Sequence, residues 1–157
     1  MNTGAIEIAR PQKFLRFGYA LSIFLLTLTG FAQMPVMKRY YIADIPGFGW
    51  LAEFYVTHAL HYLAGILFLG LVSYIVIDFL LLYRQKRKVT PTGYLGGGLL
   101  LLITVTGLFL VLNNFAGIYL PQGLIIFLDL CHLGGVMGFL AVSLFGAVFK
   151  KRWTIST

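Results

Sequence analysis

The chain has 157 residues, 59% hydrophobic and 11% charged, with a formal net charge of +7 from twelve Lys and Arg against five Asp and Glu. Water-soluble domains are about 25% charged, so this composition excludes a soluble globular fold and makes lipid the solvent. The basic residues flank apolar runs, a placement that explains the positive charge and excludes nucleic acid as the partner it serves.

A helix needs ~20 apolar residues to span a bilayer core, and four runs qualify, at about 14–33, 54–83, 94–112 and 122–149. No stretch outside them could bury a core. The expectation is therefore one domain over 1–157, an all-α four-helix transmembrane bundle. Ahead of the first run lies a short polar tail, 1–12, ending at Pro11. No small-residue cleavage site follows the first run and three equivalent runs come after it, so it is expected to be a retained span.

The first connection, 34–51, is the longest and carries Tyr40, Tyr41, Phe48 and Trp50 among Pro35, Pro46, Gly47 and Gly49. Aromatic rings with polar tips belong at the membrane–water boundary, so an ordered cap that can contact a partner is expected. The second connection, 84–93, is basic and contains Pro91; the third, 113–122, is short and uncharged, with Asn113 and Asn114 ending the third helix. Ten of the twelve basic residues lie around the start of the first run (Arg10, Lys13 and Arg16), in the second connection and in the stretch after the fourth run. Those segments share one side of a four-span chain, so the positive-inside rule places both termini in the cytoplasm.

Three histidines interrupt the apolar runs: His58 and His61 in the second, His132 in the fourth. An ionisable side chain in a span costs ~2.5 kcal/mol or more, so it faces a bundle interior and carries function by default. Imidazole is also the commonest metal ligand. At ~1.5 Å rise per residue, His61 lies ~10 Å and His132 ~15 Å below the non-cytoplasmic ends of their helices, within the error of the helix boundaries. Two imidazoles at matching depth, from two helices, are what a haem iron with two axial ligands requires. The alternative is a pair of buried histidines bonding carbonyls or hydroxyls. Zinc would need about four ligands, and no cluster of Cys, His or acidic residues supplies them.

Small residues accompany both histidines. Gly65 follows His61, and Gly134, Gly135 and Gly138 follow His132. Residues three or four apart share a helix face, so Gly65 and Gly135 would leave room for a porphyrin; close helix packing explains the same pattern. His58, one turn nearer the outside, could bond a haem propionate, bind a quinone beside Tyr62, contact a partner, or meet water at the interface. Asp78 lies near the level of Arg16 and Tyr19, where an Asp78–Arg16 pair or a quinone-protonating site is possible. Asp129 precedes His132 by one turn and could bond His58, a partner or the outer loop; Cys131 reads as a packing residue. A faint repeat joins the two halves: Leu28-Thr29-Gly30 in the first helix and Val105-Thr106-Gly107 in the third.

Arg16-Phe17 opening the first helix, Leu28-Thr29-Gly30-Phe31 closing it, and the run Leu60-His61-Tyr62-Leu63-Ala64-Gly65-Ile66-Leu67-Phe68 together resemble the cytochrome b membrane subunits of formate dehydrogenases. Related subunits serve hydrogenases and thiosulfate reductases. The resemblance covers the four-span layout and implies a bacterial or archaeal cytoplasmic membrane subunit. Such a subunit passes electrons between an iron–sulfur partner on the outer face and membrane quinone, with His61 and His132 as axial ligands of the outer haem. The family's second haem, near the cytoplasmic face, takes ligands from positions that here hold Gly18 or Tyr19 and Gly146 or its neighbours. One haem b is therefore expected, with quinone as mobile redox partner; a multihaem cytochrome could replace the iron–sulfur protein. The chain has too little extramembrane mass for a substrate-oxidising site. Its rivals are a haem-free membrane anchor and a small-solute transporter, the latter disfavoured by the lack of a mid-span Pro.

Overall fold

In lipid every backbone polar group must be satisfied within the chain, so long apolar runs become helices. A computed structural model of the chain, described here for residues 12–34 and 36–156, has this all-α form. Arg10, Pro11 and Pro35, on which parts of the sequence reading fall, lie outside the described residues, as does the side chain of Lys38. The elements are α1 (Gln12–Ala32), the short α2 (Val36–Arg39), α3 (Phe54–Asp78), β1 (Arg87–Val89), α4 (Pro91–Leu112), α5 (Gln122–Val148) and β2 (Thr154–Ser156). Four helical segments are long and apolar enough to cross a membrane: Lys13–Ala32, Phe54–Tyr83, Pro91–Leu112 and Gln122–Val148. The chain is a multi-pass membrane protein.

Its contacts divide it into two units, Met1–Leu81 and Leu82–Thr157. In the first, α1 packs on α3; in the second, α4 packs on α5. Each is a helical hairpin. Large apolar side chains such as Phe24, Ile66, Leu101 and Leu130 point outward, whereas Thr29 and Thr57 are fully buried and Ser22 and Thr106 nearly so. This inversion of the soluble pattern follows from lipid tails being as apolar as leucine, so that small and hydroxylated residues make the helix contacts. The hydroxyls are not orphaned. Ser22 donates to the Gly18 carbonyl (2.8 Å), Thr57 to that of Phe54 (3.0 Å) and Thr104 to that of Leu100 (2.8 Å).

The connection between α1 and α3 is built from α2 and two 3₁₀ turns, Ile42–Asp44 and Gly49–Ala52. They close over a core of Ala32, Met37 and Leu51, with Leu28, Phe31 and Ile42 around it. Tyr40, Tyr41 and Phe48 remain exposed. A π-helical turn, Phe79–Tyr83, ends the second span.

α4 begins at Pro91, earlier than the sequence boundary at 94. Proline suits the first helical position, where its missing N–H has no partner to lose, and Thr90 caps the turn by accepting from the Gly93 N–H (3.1 Å). At the other end of α4, Asn113 Oδ1 accepts from the Leu120 N–H (3.1 Å) and closes the 113–121 turn.

After α5 the chain reverses at Lys150, in the left-handed region (φ 51°), with the Lys151 N–H donating to the Gly146 carbonyl (2.9 Å). β2 then pairs antiparallel with β1, Lys88 opposite Ile155. This ribbon has no counterpart in the sequence reading.

Candidate functional site

His61 lies on the face of α3 that meets α1, with its Nδ1 2.9 Å from Thr29 Oγ1. The Thr29 hydroxyl has a single proton, which it donates to the Leu25 carbonyl one turn back (2.6 Å). Towards His61 it can therefore only accept, so His61 Nδ1 carries the hydrogen and the ring's lone pair is on Nε2. The ring edge crosses the backbone of α1 at Gly30, where a Cβ would stand 3.3 Å from His61 Cε1.

The second unit repeats the arrangement part for part. His132 Nδ1 is 3.1 Å from Thr106 Oγ1, and Thr106 donates its proton to the Leu102 carbonyl (2.8 Å). The Ile103 carbonyl, which can only accept, lies 3.0 Å from the same Nδ1. His132 is thus also the Nδ1–H tautomer. A Cβ at Gly107 would stand 3.0 Å from His132 Cε1. The Thr-Gly repeat has a physical reason: threonine fixes the tautomer and rotation of the imidazole, and glycine lets the ring lie against the helix.

One turn along α3, His58 Nδ1 donates to Gln33 Oε1 (3.0 Å), and Gln33 Nε2 donates to the Thr29 carbonyl (3.3 Å). His58 is flanked by Phe54 and Tyr62, with ring centroids at 5.0 and 4.3 Å. Gln33 and Thr29 therefore link His58 to His61. Nothing in the sequence singles out Gln33, and a Thr–Gly repeat by itself reads equally well as close helix packing.

The glycines divide differently from the sequence reading. The Cα face of Gly135 is already covered, because a Cβ there would meet Ile103 Cγ1 at 3.0 Å and Leu102 Cδ2 at 3.5 Å. Gly135 is a contact between α4 and α5. Gly138 similarly faces Leu99, and Gly65 faces Leu26 across 4.0 Å, whereas Gly134 looks onto open space.

Of the other residues singled out, Tyr19 packs on Phe68 with ring centroids 5.6 Å apart. Arg16 is exposed and Asp78 half-buried. Asp78 lies seventeen residues beyond His61, about 25 Å along the helix axis, so this group is remote from the His61–Thr29 contact. Asp129 is exposed and Cys131 half-buried.

Among the described residues no three His, Cys, Asp or Glu side chains converge as ligands for a bare ion. The arrangement offers single, oriented imidazoles, which fit a cofactor that brings its own equatorial donors. No protein-family model matches the chain, and no curated protein and no solved structure matches it either.

Proposed function

We propose that the chain is a haem b-binding electron-transfer subunit of a membrane oxidoreductase complex, with His61 and His132 as the axial ligands of one haem. The observation that carries this reading is the repeated Thr–Gly–His arrangement, in which Nδ1–H of each imidazole is held by a threonine oxygen. Metal-ligating histidines characteristically donate their other ring N–H in this way, which fixes the ring and raises its basicity. Bound between two neutral imidazoles, haem supplies a one-electron carrier whose potential follows its axial ligands and their hydrogen bonds. The protein's part is to present Nε2 of each ring, to hold the rings still and to keep water away.

In this reading the chain lies in the cytoplasmic membrane of a bacterium or archaeon with both termini inside. An iron–sulfur or multihaem cytochrome partner docks on the outer face, and quinone is the lipid-phase partner. The cytochrome b resemblance and the grouping of basic residues support it. The test is a reduced-minus-oxidised visible spectrum with haem-to-protein stoichiometry of the purified chain. One haem b is expected, lost in His61→Ala and in His132→Ala and retained in His58→Ala. A chain purified from haem-replete cells without a Soret band would establish the haem-free anchor instead.

A further inference from the structure

Seven basic residues belong to the second unit and all stand at its strand end: Arg84, Lys86, Arg87 and Lys88 before α4, and Lys150, Lys151 and Arg152 after α5. All seven are exposed. The unit's one acidic residue, Asp129, lies in the first third of α5, about 30 Å along the helix from Lys150. The sequence separates the two basic groups by the whole α4–α5 hairpin; the ribbon joins them.

The β1–β2 pairing sets Arg87 opposite Ser156 and Lys88 opposite Ile155. Thr90 reinforces it, with its Oγ1 donating to the Arg152 carbonyl (2.8 Å) and its N–H to that of Trp153 (2.9 Å). The Trp153 ring seats on the bare face of Gly96 and meets Phe139 edge-on, centroids 6.1 Å apart. The result is one cationic platform anchored to both helices. Within it the Arg87 guanidinium lies over the Tyr83 ring, 5.1 Å from its centroid.

The platform begins where the apolar spans end, at Pro91 and Val148, which is headgroup level for a helix of spanning length. Directly beside it the apolar side chains of Leu95, Val148, Phe149 and Ile155 are more than half exposed. Seven exposed cations, remote from the unit's one acidic side chain and set next to apolar surface at that level, match a ligand with an anionic head and acyl tails. We propose that the ribbon assembles a binding site for anionic phospholipid. The headgroup phosphodiester lies against the two joined basic groups and the acyl chains run along the outer faces of α4 and α5.

The full-length chain is placed in nanodiscs of phosphatidylcholine, with or without phosphatidylglycerol, and its thermal unfolding is followed. Phosphatidylglycerol is expected to raise Tm by about 5 °C, and native mass spectrometry should show it retained in preference to phosphatidylcholine. The K150Q/K151Q/R152Q variant should lose most of that difference. A chain truncated after Trp153 keeps all seven charges but lacks β2, and should lose most of it too; Thr90→Val, which breaks the bond to Arg152, serves if the truncated chain cannot be purified. Equal Tm in both discs overturns the proposal, and so does a ribbon-deficient chain that keeps the full preference. Reproduction of the shift by inorganic phosphate in phosphatidylcholine discs also overturns it, by showing a free-anion site rather than a lipid one.

Discussion

A threonine in the middle of a span can satisfy its hydroxyl by donating to the carbonyl one turn back, as Ser22, Thr57 and Thr104 do with theirs. Thr29 and Thr106 do that and also accept from an imidazole, which converts a packing residue into one that sets a tautomer. Replacing either with valine keeps the shape and leaves the Nδ1–H without its threonine partner, a loss of about 1–3 kcal/mol for a buried donor. His132 retains the Ile103 carbonyl as a second acceptor. In the haem reading, Thr29→Val and Thr106→Val should weaken haem retention by about 10–100-fold and raise the midpoint potential, since a weaker hydrogen bond makes the imidazole a poorer donor to iron. Competition with apomyoglobin and a redox titration measure the two effects; unchanged retention and potential in both variants would remove the threonines from the site. Gly107→Ala should act on the same ring by contact, because its Cβ would lie 3.0 Å from His132 Cε1. The histidines themselves were legible in the sequence, as ionisable groups in apolar runs. Their partners were not, because Thr29 and His61 are 32 residues apart and Thr106 and His132 are 26 apart. Only the register of helix against helix brings each pair together.

Element boundaries were legible where lipid dictates them. The four apolar runs correspond to the four membrane-length helices within a few residues, because apolar length alone decides a span. α4 starts three residues before the apolar run at 94, because Thr90 and Pro91 together form a helix start. The ribbon was invisible for a different reason. Strands of three residues carry no alternation to detect, and Arg87–Val89 meets Thr154–Ser156 only because the chain reverses at Lys150. Its anchorage makes a clear prediction. A Cβ at Gly93 would collide with the Trp153 carbonyl oxygen, whereas Gly97, on the same helix, has nothing within 4 Å. Gly93→Ala should cost about 1–3 kcal/mol through overpacking and expose the C-terminal segment to carboxypeptidase. Gly97→Ala should leave that segment protected and stability unchanged or raised by up to about 1 kcal/mol, since alanine is the better helix former. Thermal unfolding in detergent and a timed digest separate the two outcomes.

At the scale of the whole molecule, the proposed orientation rests on charge and, in the haem reading, on where the cofactor is held. Ten of twelve basic residues lie in segments on one side of a four-span chain, so a C-terminal fluorescent-protein fusion should fluoresce and a C-terminal alkaline phosphatase fusion should be inactive. The opposite pair of results would invert the topology and put the proposed partner on the other face. The histidines sit towards the ends of the helices that adjoin the uncharged turn and the aromatic connection, so a haem held there is an outer haem in the proposed orientation. This bears on where quinone exchanges electrons. His58 is one turn from His61 and joined to it through Gln33 and Thr29. Asp78 is about 25 Å further along the same helix, near the level assigned to Arg16 and Tyr19. Electron transfer falls steeply with distance, and where the cytochrome b resemblance would put the ligands of an inner haem this chain has Gly18, Tyr19 and Gly146, so the one-haem reading supplies no relay on that side. In the haem reading, His58 and Tyr62 are therefore the groups proposed to meet a quinone. On that reading, quinone-dependent reoxidation of the reduced haem, followed by stopped-flow absorbance, should slow about 100-fold in His58→Ala, the low end of the range for loss of a positioned proton-transfer group. The same rate should persist in Asp78→Asn, and a slow Asp78→Asn beside a normal His58→Ala would move the exchange site to the cytoplasmic side.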